Sequence, residues 1–155
     1  MRLMFEAANF VRSLQLQMRF GEMSRAPLQL LRLELHGEFA ECDWMARPAD
    51  IWDADLPPLV RDRNASSQAL LDAIALRELL FGAMSGVRSA DFRVFRQSAG
   101  EPPELIITGT VSRETEQVSR YVASPAMRAK LWGFHFCLEG GVLEQMQVQE
   151  LAVSA

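Results

Sequence analysis

Apolar and polar residues alternate on both sides of a glycine near the start of the chain. The stretch 28–46 reads LQLLRLELHGEFAECDWMA, and His36-Gly37 can form a two-residue turn, since glycine adopts positive φ without steric cost. This register pairs Leu33 with Ala40, which makes one face apolar and places opposite charges across from each other on the second face. Such charged pairs stabilise a sheet by about 0.2–1 kcal/mol each. The pattern therefore predicts a β-hairpin.

A helical period of apolar residues follows over 66–84. The helix is expected to start at one of two serine N-caps and to end before Gly86. It carries a broad apolar face and, on the opposite side, a narrower apolar strip that includes Leu71 and Leu79. A helix that is apolar on two sides is either sandwiched within its own domain or covered by a partner.

Two periods compete at the N-terminus. A helical stripe over the first 20 residues leaves Phe5, Leu16 and Phe20 on the wrong face, whereas 13–20 (SLQLQMRF) alternates as a strand does. We therefore expect a short helix over about 4–11, followed by a strand.

Strands and short helices are predicted for the rest of the chain. The strands lie at 92–96, 105–111, 131–138 and 142–149, and the short helices at 112–122 and 124–130. Hairpin connections on either side of one long helix argue against a parallel sheet. We expect an α+β fold in which a curved antiparallel sheet of six or seven strands packs on the helix at 66–84, with short helices added. Residues 1–155 are expected to form a single globular domain.

The charge and cysteine content exclude several classes of protein. A formal net charge of −4 argues against a nucleic-acid binder, which needs a basic face to displace phosphate counterions. No apolar run approaches the roughly 20 residues of a membrane span, and the N-terminus lacks the order of a signal peptide. Two cysteines on predicted strands indicate a reduced, cytoplasmic location. Arginine almost entirely replaces lysine, as in GC-rich bacterial genomes.

Several residues are candidates for binding a small ligand. His135 and Cys137 are two apart on a predicted strand and so share a face, where a thiol and an imidazole can form a nucleophilic pair or half of a zinc site. The chain has no C-x2-C spacing, so we predict no metal and a core position for Cys42. Arg77 projects into the apolar face of the long helix. It either extends its guanidinium to water or binds a carboxylate, which is that of Asp43, of Glu41 or of an acidic ligand.

The irregular stretch 47–65 is a candidate contact surface. Arg47 and Trp52 belong to the residue types that dominate binding hot spots, and Leu71 and Leu79 are further candidates for contact with a partner. The aspartates of this stretch lack the glycine and the distal glutamate of a calcium loop.

Two functions remain open. The favoured one is a non-catalytic protein-interaction module or small subunit of an assembly, forming a homodimer or binding another protein. The alternative is a small-ligand-binding domain or small enzyme, with a pocket near Asp43, Arg77, His135 and Cys137 that the curved sheet encloses. The first is favoured because the sequence contains no G-x-G-x-x-G or G-x-S-x-G motif, and no catalytic residue or cofactor is assigned.

Overall fold

The computed structural model describes residues 2–98, 100–114 and 124–146. These residues contain three α-helices and seven strands. The helices are α1 (Arg2–Gln17), α2 (Pro58–Ala83) and α3 (Pro125–Leu131), and a short 3-10 helix spans Ile51–Asp55. The strands are β1 (Gln29–His36), β2 (Phe39–Met45), β3 (Ser89–Arg96), β4 (Glu104–Ser112), β5 (Phe134–His135), β6 (Leu138–Glu139) and β7 (Val142–Leu143).

The main sheet is mixed. Its order is β1-β2-β3-β4-β5, and β6 pairs only with β7 in a separate hairpin. Every neighbouring pair is antiparallel except β2 and β3, which are parallel because α2 crosses from the end of one to the start of the other. The α+β class is confirmed. The prediction of a curved antiparallel sheet with six or seven strands on one long helix was wrong, since the main sheet of the described residues is mixed and has five strands, and three helices are present there.

The end of α1 occupies most of the segment predicted as the first strand. The buried face of this helical region recurs every four residues, at Phe10, Leu14 and Met18. Leu16 and Phe20, which the alternating pattern would bury, are 73% and 61% exposed. The strand prediction for 13–20 was wrong because Leu, Gln and Met favour a helix, and a helix can leave single large apolar side chains in water.

The central helix begins eight residues earlier than expected. Pro58 is the first residue of α2, and Pro57 is the N-cap. Proline is tolerated at the first helical position because the backbone N–H of any residue there has no partner within the helix. The prediction treated both prolines as loop residues and placed the cap at Ser66 or Ser67. Ser66 instead lies buried inside α2, where its Oγ accepts a hydrogen bond from the Leu143 N–H at 2.9 Å.

The hairpin of β1 and β2 is confirmed, with a shifted register. The two turn residues are Gly37-Glu38, and Gly37 has a φ of 63° at the first central position, where a type II′ turn needs glycine. Leu33 therefore faces Cys42 instead of Ala40. The pairing is shifted by two residues, and since side chains alternate with a period of two, the same side chains remain on the apolar face. A bulge at Leu31 breaks the ladder and leaves that side chain 44% exposed, although the alternating pattern predicts it on the apolar face.

The C-terminal predictions are met in part. Ser124 caps α3 as expected, with its Oγ accepting from the Met127 N–H at 3.4 Å. The strand predicted at 131–138 is replaced by the end of α3 and two-residue strands, and only Val142–Leu143 of the next is a strand within the described residues. The helix predicted at 112–122 lies largely outside the described residues.

The two faces of the main sheet differ in polarity. One face is buried with α2 in a single core that includes Cys42, Trp44, Phe92 and Phe134. The alternate side chains of the same strands form the opposite face, called here the open face, which is polar and partly exposed.

Candidate functional site

Asp43 and His135 both lie on the open face, but β3 and β4 separate their strands, and Asp43 is already paired with Arg93. Arg93 binds Asp43 with both arms of its guanidinium, from Nη2 to Oδ2 at 2.6 Å and from Nε to Oδ1 at 3.0 Å. The register then continues from Arg93 to Thr108 and from Thr108 to His135. Asp43 is therefore satisfied by an internal partner and does not meet the exposed His135 ring.

Arg77 lies on the other side of the sheet from Asp43. It is buried with the core of α2, where its Nη2 donates to the main-chain oxygen of Ser112 at 2.7 Å and its guanidinium stacks 3.7 Å above the Trp132 ring. Burial lowers the pKa of Arg77 below its ordinary value. The structure thus gives this arginine a carbonyl and an aromatic face as partners in place of a carboxylate.

The two cysteines lie in different surroundings. Cys42 is completely buried in the core, as predicted, and burial raises the pKa of its thiol well above the ordinary range. A thiol held protonated in this way is a poor nucleophile. Cys137 is half-buried, and β5 ends at His135, so the two residues do not share a face of one strand.

Arg47, a predicted contact residue, is buried and hydrogen-bonded within the protein. It is 3% exposed, and its Nε donates to Asp72 Oδ2 at 2.8 Å, while Nη1 and Nη2 donate to the carbonyls of Ala26 and Met18 at 2.8 and 2.5 Å. Gln68 donates to the second oxygen of Asp72 at 2.9 Å. Burial raises the pKa of Asp72, and the bond from Arg47 opposes that shift. The group joins the end of α1, the following loop and α2.

The strip of α2 that contains Leu71 and Leu79 is partly covered by the protein itself. Both leucines are half-buried, and α1 packs against α2. Leu79 and Ala75 line an open groove of about 540 Å³ between the two helices. The fold therefore covers part of the strip, since Leu79 packs against the core, whereas Ala75 is exposed.

Trp52 lies in a stretch that exposes several large apolar side chains. We call residues 51–60 the exposed segment, which comprises the 3-10 helix, Leu56, Pro57 and the first three residues of α2. Its five large apolar side chains and their exposed fractions are Ile51 82%, Trp52 74%, Leu59 50%, Leu56 38% and Val60 37%. The other two tryptophans, Trp44 and Trp132, are buried. Trp52 is thus placed where a partner can reach it.

The backbone of the exposed segment is tied to the rest of the fold at its start. Asp50 is nearly buried, and its two oxygens accept from the main-chain N–H groups of Trp52 and Arg25, each at 2.9 Å. These two hydrogen bonds lower the pKa of Asp50. The Leu56 N–H donates to the Asp53 carbonyl at 3.0 Å at the end of the 3-10 helix. The apolar side chains are therefore presented on an ordered backbone.

The charge around the exposed segment is negative. Residues 50–62 contain four aspartates, of which Asp62 is exposed, and one basic residue, the half-buried Arg61. The nearby Arg63 is engaged, since its Nε donates to the Gly140 carbonyl at 2.6 Å. Sequence reasoning singled out Trp52 but missed the four aliphatic residues around it, because they follow no period among the prolines and aspartates.

A cleft opens at the carboxyl ends of the parallel strands β2 and β3, beside the first half of α2. Its volume is about 630 Å³, and its lining mixes small apolar residues with polar groups. Arg96, one of the lining residues, is paired with Glu104 through Nη2 and Oε2 at 2.7 Å and donates from Nη1 to the Leu143 carbonyl at 2.6 Å. Of the residues predicted from the sequence, only Arg47 lines this cleft.

Within the described ranges, one group of potential metal ligands lies on the open face. Glu34, His36 and Glu41 bring one ligand atom each to within 4.8 Å of one another. The Arg32 guanidinium already bonds to both carboxylates, at 2.9 Å to Glu34 and 2.8 Å to Glu41. The negative charge of this group is therefore offset by an internal cation.

No protein-family model matches the chain, and comparisons with curated proteins and with solved structures gave no significant match. Among the described residues, no helix is both long enough and apolar enough to cross a membrane.

Proposed function

We propose that this protein is a non-catalytic interaction module whose exposed segment binds a short apolar stretch of another protein, flanked by basic residues. One observation carries the proposal. Ile51 and Trp52 are 82% and 74% exposed although the backbone beneath them is fixed by the hydrogen bonds of Asp50.

The energetics favour a contact surface at this place. Burial of apolar surface contributes about 25 cal/mol per Å², and tryptophan is among the residues whose truncation in an interface costs about 2 kcal/mol or more. An ordered backbone reduces the conformational entropy that is lost on binding. Trp52 and its four apolar neighbours therefore offer a pre-organised surface for a partner.

Charge favours a basic partner over a second copy of the same segment. In a two-fold symmetric contact, the exposed segment would face itself and bring Asp53 and Asp55 close to their own counterparts. Like charges brought together across an interface oppose association, whereas Arg or Lys on a partner would complement them. The expected ligand is thus an apolar segment with Arg or Lys at its ends.

The positions of two of the predicted ligand-binding residues, and of Cys42, support a role without catalysis. Asp43 is neutralised by Arg93, Arg77 is stacked on Trp132, and Cys42 is buried. Each has a structural partner or position that accounts for it. None of these three groups is left poised for acid–base or nucleophilic chemistry.

Trp52 provides its own readout for a test. Because the other tryptophans are buried, a change in emission on binding reports on Trp52. We would titrate the full chain with two peptides that share a Leu/Phe core, one flanked by arginines and one by glutamates. The proposal predicts a saturable blue shift with the arginine peptide and a response at least about tenfold weaker with the glutamate peptide.

The controls separate specific binding from general stickiness. Ile51→Ser should weaken binding of the arginine peptide, whereas Leu138→Ser, at an exposed leucine outside the exposed segment, should leave it unchanged. Equal responses to both peptides, or an arginine peptide that produces no shift, would refute the proposed ligand chemistry.

The cleft at the ends of β2 and β3 supports a second candidate, the binding of a small amphipathic molecule. Its volume of about 630 Å³ falls in the range of ligand sites, and carboxyl ends of parallel strands are a common place for them. Thermal unfolding with a panel of short aliphatic acids and amides tests this function. A raised Tm that disappears in Ala49→Trp, which fills the cleft, would favour it, and no shift with any compound would count against it.

A further inference from the structure

The outer edge of β1 is unpaired within the described part of the chain. β1 is the first strand in the sheet order, and among the described strands only β2 pairs with it. A strand in this position has N–H and C=O groups directed away from the sheet, and these can pair with another strand. Beyond the bulge at Leu31, the stretch from Arg32 to His36 pairs regularly with β2. That stretch is a suitable template for a further strand.

The leucines of this edge are incompletely covered. Four of them pack against the core and still remain only half-buried: Leu28, Leu30, Leu33 and Leu35. Leu31 is 44% exposed at the bulge. On β2, by contrast, Ala40, Cys42 and Trp44 are completely buried. The apolar side chains of β1 are therefore less covered than those of β2, and a strand added at this edge would cover them further.

The charges on β1 are complementary to β1 itself. If two copies pair antiparallel about a two-fold axis at Leu33, Arg32 of each copy faces Glu34 of the other, and the two Leu33 residues face each other. An axis at Arg32 or at Glu34 would place like charges opposite each other. Moving the pairing by one residue would put apolar side chains against polar ones. Of these registers, the one about Leu33 satisfies both the charges and the two faces.

The side chains needed for this pairing are already in place on the open face. Arg32 Nε lies 3.0 Å from Glu34 Oε1, and its Nη2 lies 2.9 Å from Glu34 Oε2. Both side chains are partly accessible, at 33% and 48%. Each arginine can therefore bridge the glutamate of its own strand and the glutamate of a second copy.

We propose that the protein forms a homodimer in which the β1 strands of two copies pair antiparallel about Leu33 and join the two sheets into one. The surface is separate from the exposed segment, and this inference does not depend on the proposed function. It identifies the second copy as the occupant of the β1 edge because the strand is self-complementary in charge.

Sedimentation velocity on the full chain, at about 1 and 100 µM, tests the dimer. We expect a dimer whose dissociation constant rises at least about tenfold in Glu34→Arg, where the introduced arginine of each copy would face Arg32 of the other. The double variant Arg32→Glu/Glu34→Arg exchanges both charges and should restore the dimer. Leu31→Lys, which adds a charge at an exposed edge position, should also weaken it, whereas Leu138→Lys should not.

Each result has a defined meaning. A wild-type chain that stays monomeric at the higher concentration overturns the proposal. A dimer that resists both Glu34→Arg and Leu31→Lys places the interface elsewhere and also overturns it. Weakening by Glu34→Arg without recovery in the double variant overturns the register about Leu33. Thermal unfolding of each variant confirms that the fold is retained.

Discussion

Two neighbouring stretches of this chain follow opposite rules of burial. Residues 47–50 contain a buried arginine and a nearly buried aspartate, both hydrogen-bonded within the protein. Residues 51–60, which follow directly, expose five large apolar side chains. The polar pair fixes the fold, and the apolar residues after it are left on the surface. We infer that the first stretch serves stability and the second serves binding.

The contrast shows that residue type alone is a poor guide to a contact surface. Arg47 and Trp52 were both selected as contact residues because Arg and Trp dominate hot spots. The Arg47 guanidinium donates hydrogen bonds to Asp72 and to main-chain carbonyls within the protein. At Trp52 the hydrogen bond to Asp50 is made by the backbone N–H, and the side chain stays exposed. The difference lies in which partners tertiary structure brings near, and a single sequence does not contain that information.

The largest expected effect separates two tryptophans. Trp44→Ala removes a completely buried side chain that packs edge-on against Phe92, and it should lower the free energy of unfolding by about 3–5 kcal/mol. Trp52→Ala should change it by less than about 0.5 kcal/mol, because most of that side chain is in water. Urea denaturation measures both. A large loss in Trp52→Ala would show that the exposed segment is needed for folding.

A similar comparison uses two arginines. Arg47→Ala leaves Asp72 buried without its ionic partner and should cost about 3–5 kcal/mol. Arg88→Ala removes an exposed ion pair with Glu114 and should cost about 0–1 kcal/mol. Chemical denaturation at one pH and salt concentration checks the pair of variants. Equal costs would contradict the internal role given to Arg47.

A smaller effect concerns pH and the start of the exposed segment. The pKa of Asp50 is lowered by the N–H groups of Trp52 and Arg25, so its ionised form stabilises the fold above its ordinary pKa. That contribution is lost as the pH falls through the lowered pKa. Asp50→Asn should be less stable at neutral pH and should lose less stability between about pH 5 and pH 2.

Denaturation midpoints across that range provide the measurement for Asp50. Asp55→Asn, the same change at an exposed position of the same 3-10 helix, is the matched control and should follow the wild-type curve. Parallel curves for the wild type and Asp50→Asn would contradict the stabilising role of the Asp50 carboxylate.

Local patterns predicted the elements whose signals are local. The β1–β2 hairpin follows from alternation around Gly37, and α3 follows from the cap at Ser124. The register of the hairpin was missed because a type II′ turn places glycine first, and the bulge at Leu31 leaves no mark in the sequence. Residues 13–20 were assigned to a strand because exposed Leu16 and Phe20 were assumed to need burial.

Features that depend on distant contacts were beyond the sequence. The parallel pairing of β2 with β3 follows from the path of α2 across the sheet, which a hydrophobic pattern does not specify. Asp43 and Arg93 are 50 residues apart, so their ion pair could not be read from spacing. The candidate site was identified in part, since Trp52 was selected while the aliphatic residues beside it gave no periodic signal.

The central claim, that the exposed segment binds a partner without stabilising the fold, is tested most directly by the affinity of Trp52→Ala for a labelled arginine-flanked apolar peptide. Fluorescence anisotropy would compare it with the wild type and with Leu138→Ala. We predict an affinity at least about 30-fold weaker for Trp52→Ala and unchanged for Leu138→Ala, with equal urea midpoints for all three chains. Equal affinity in Trp52→Ala, or a loss of binding that accompanies a lower midpoint, would contradict the claim.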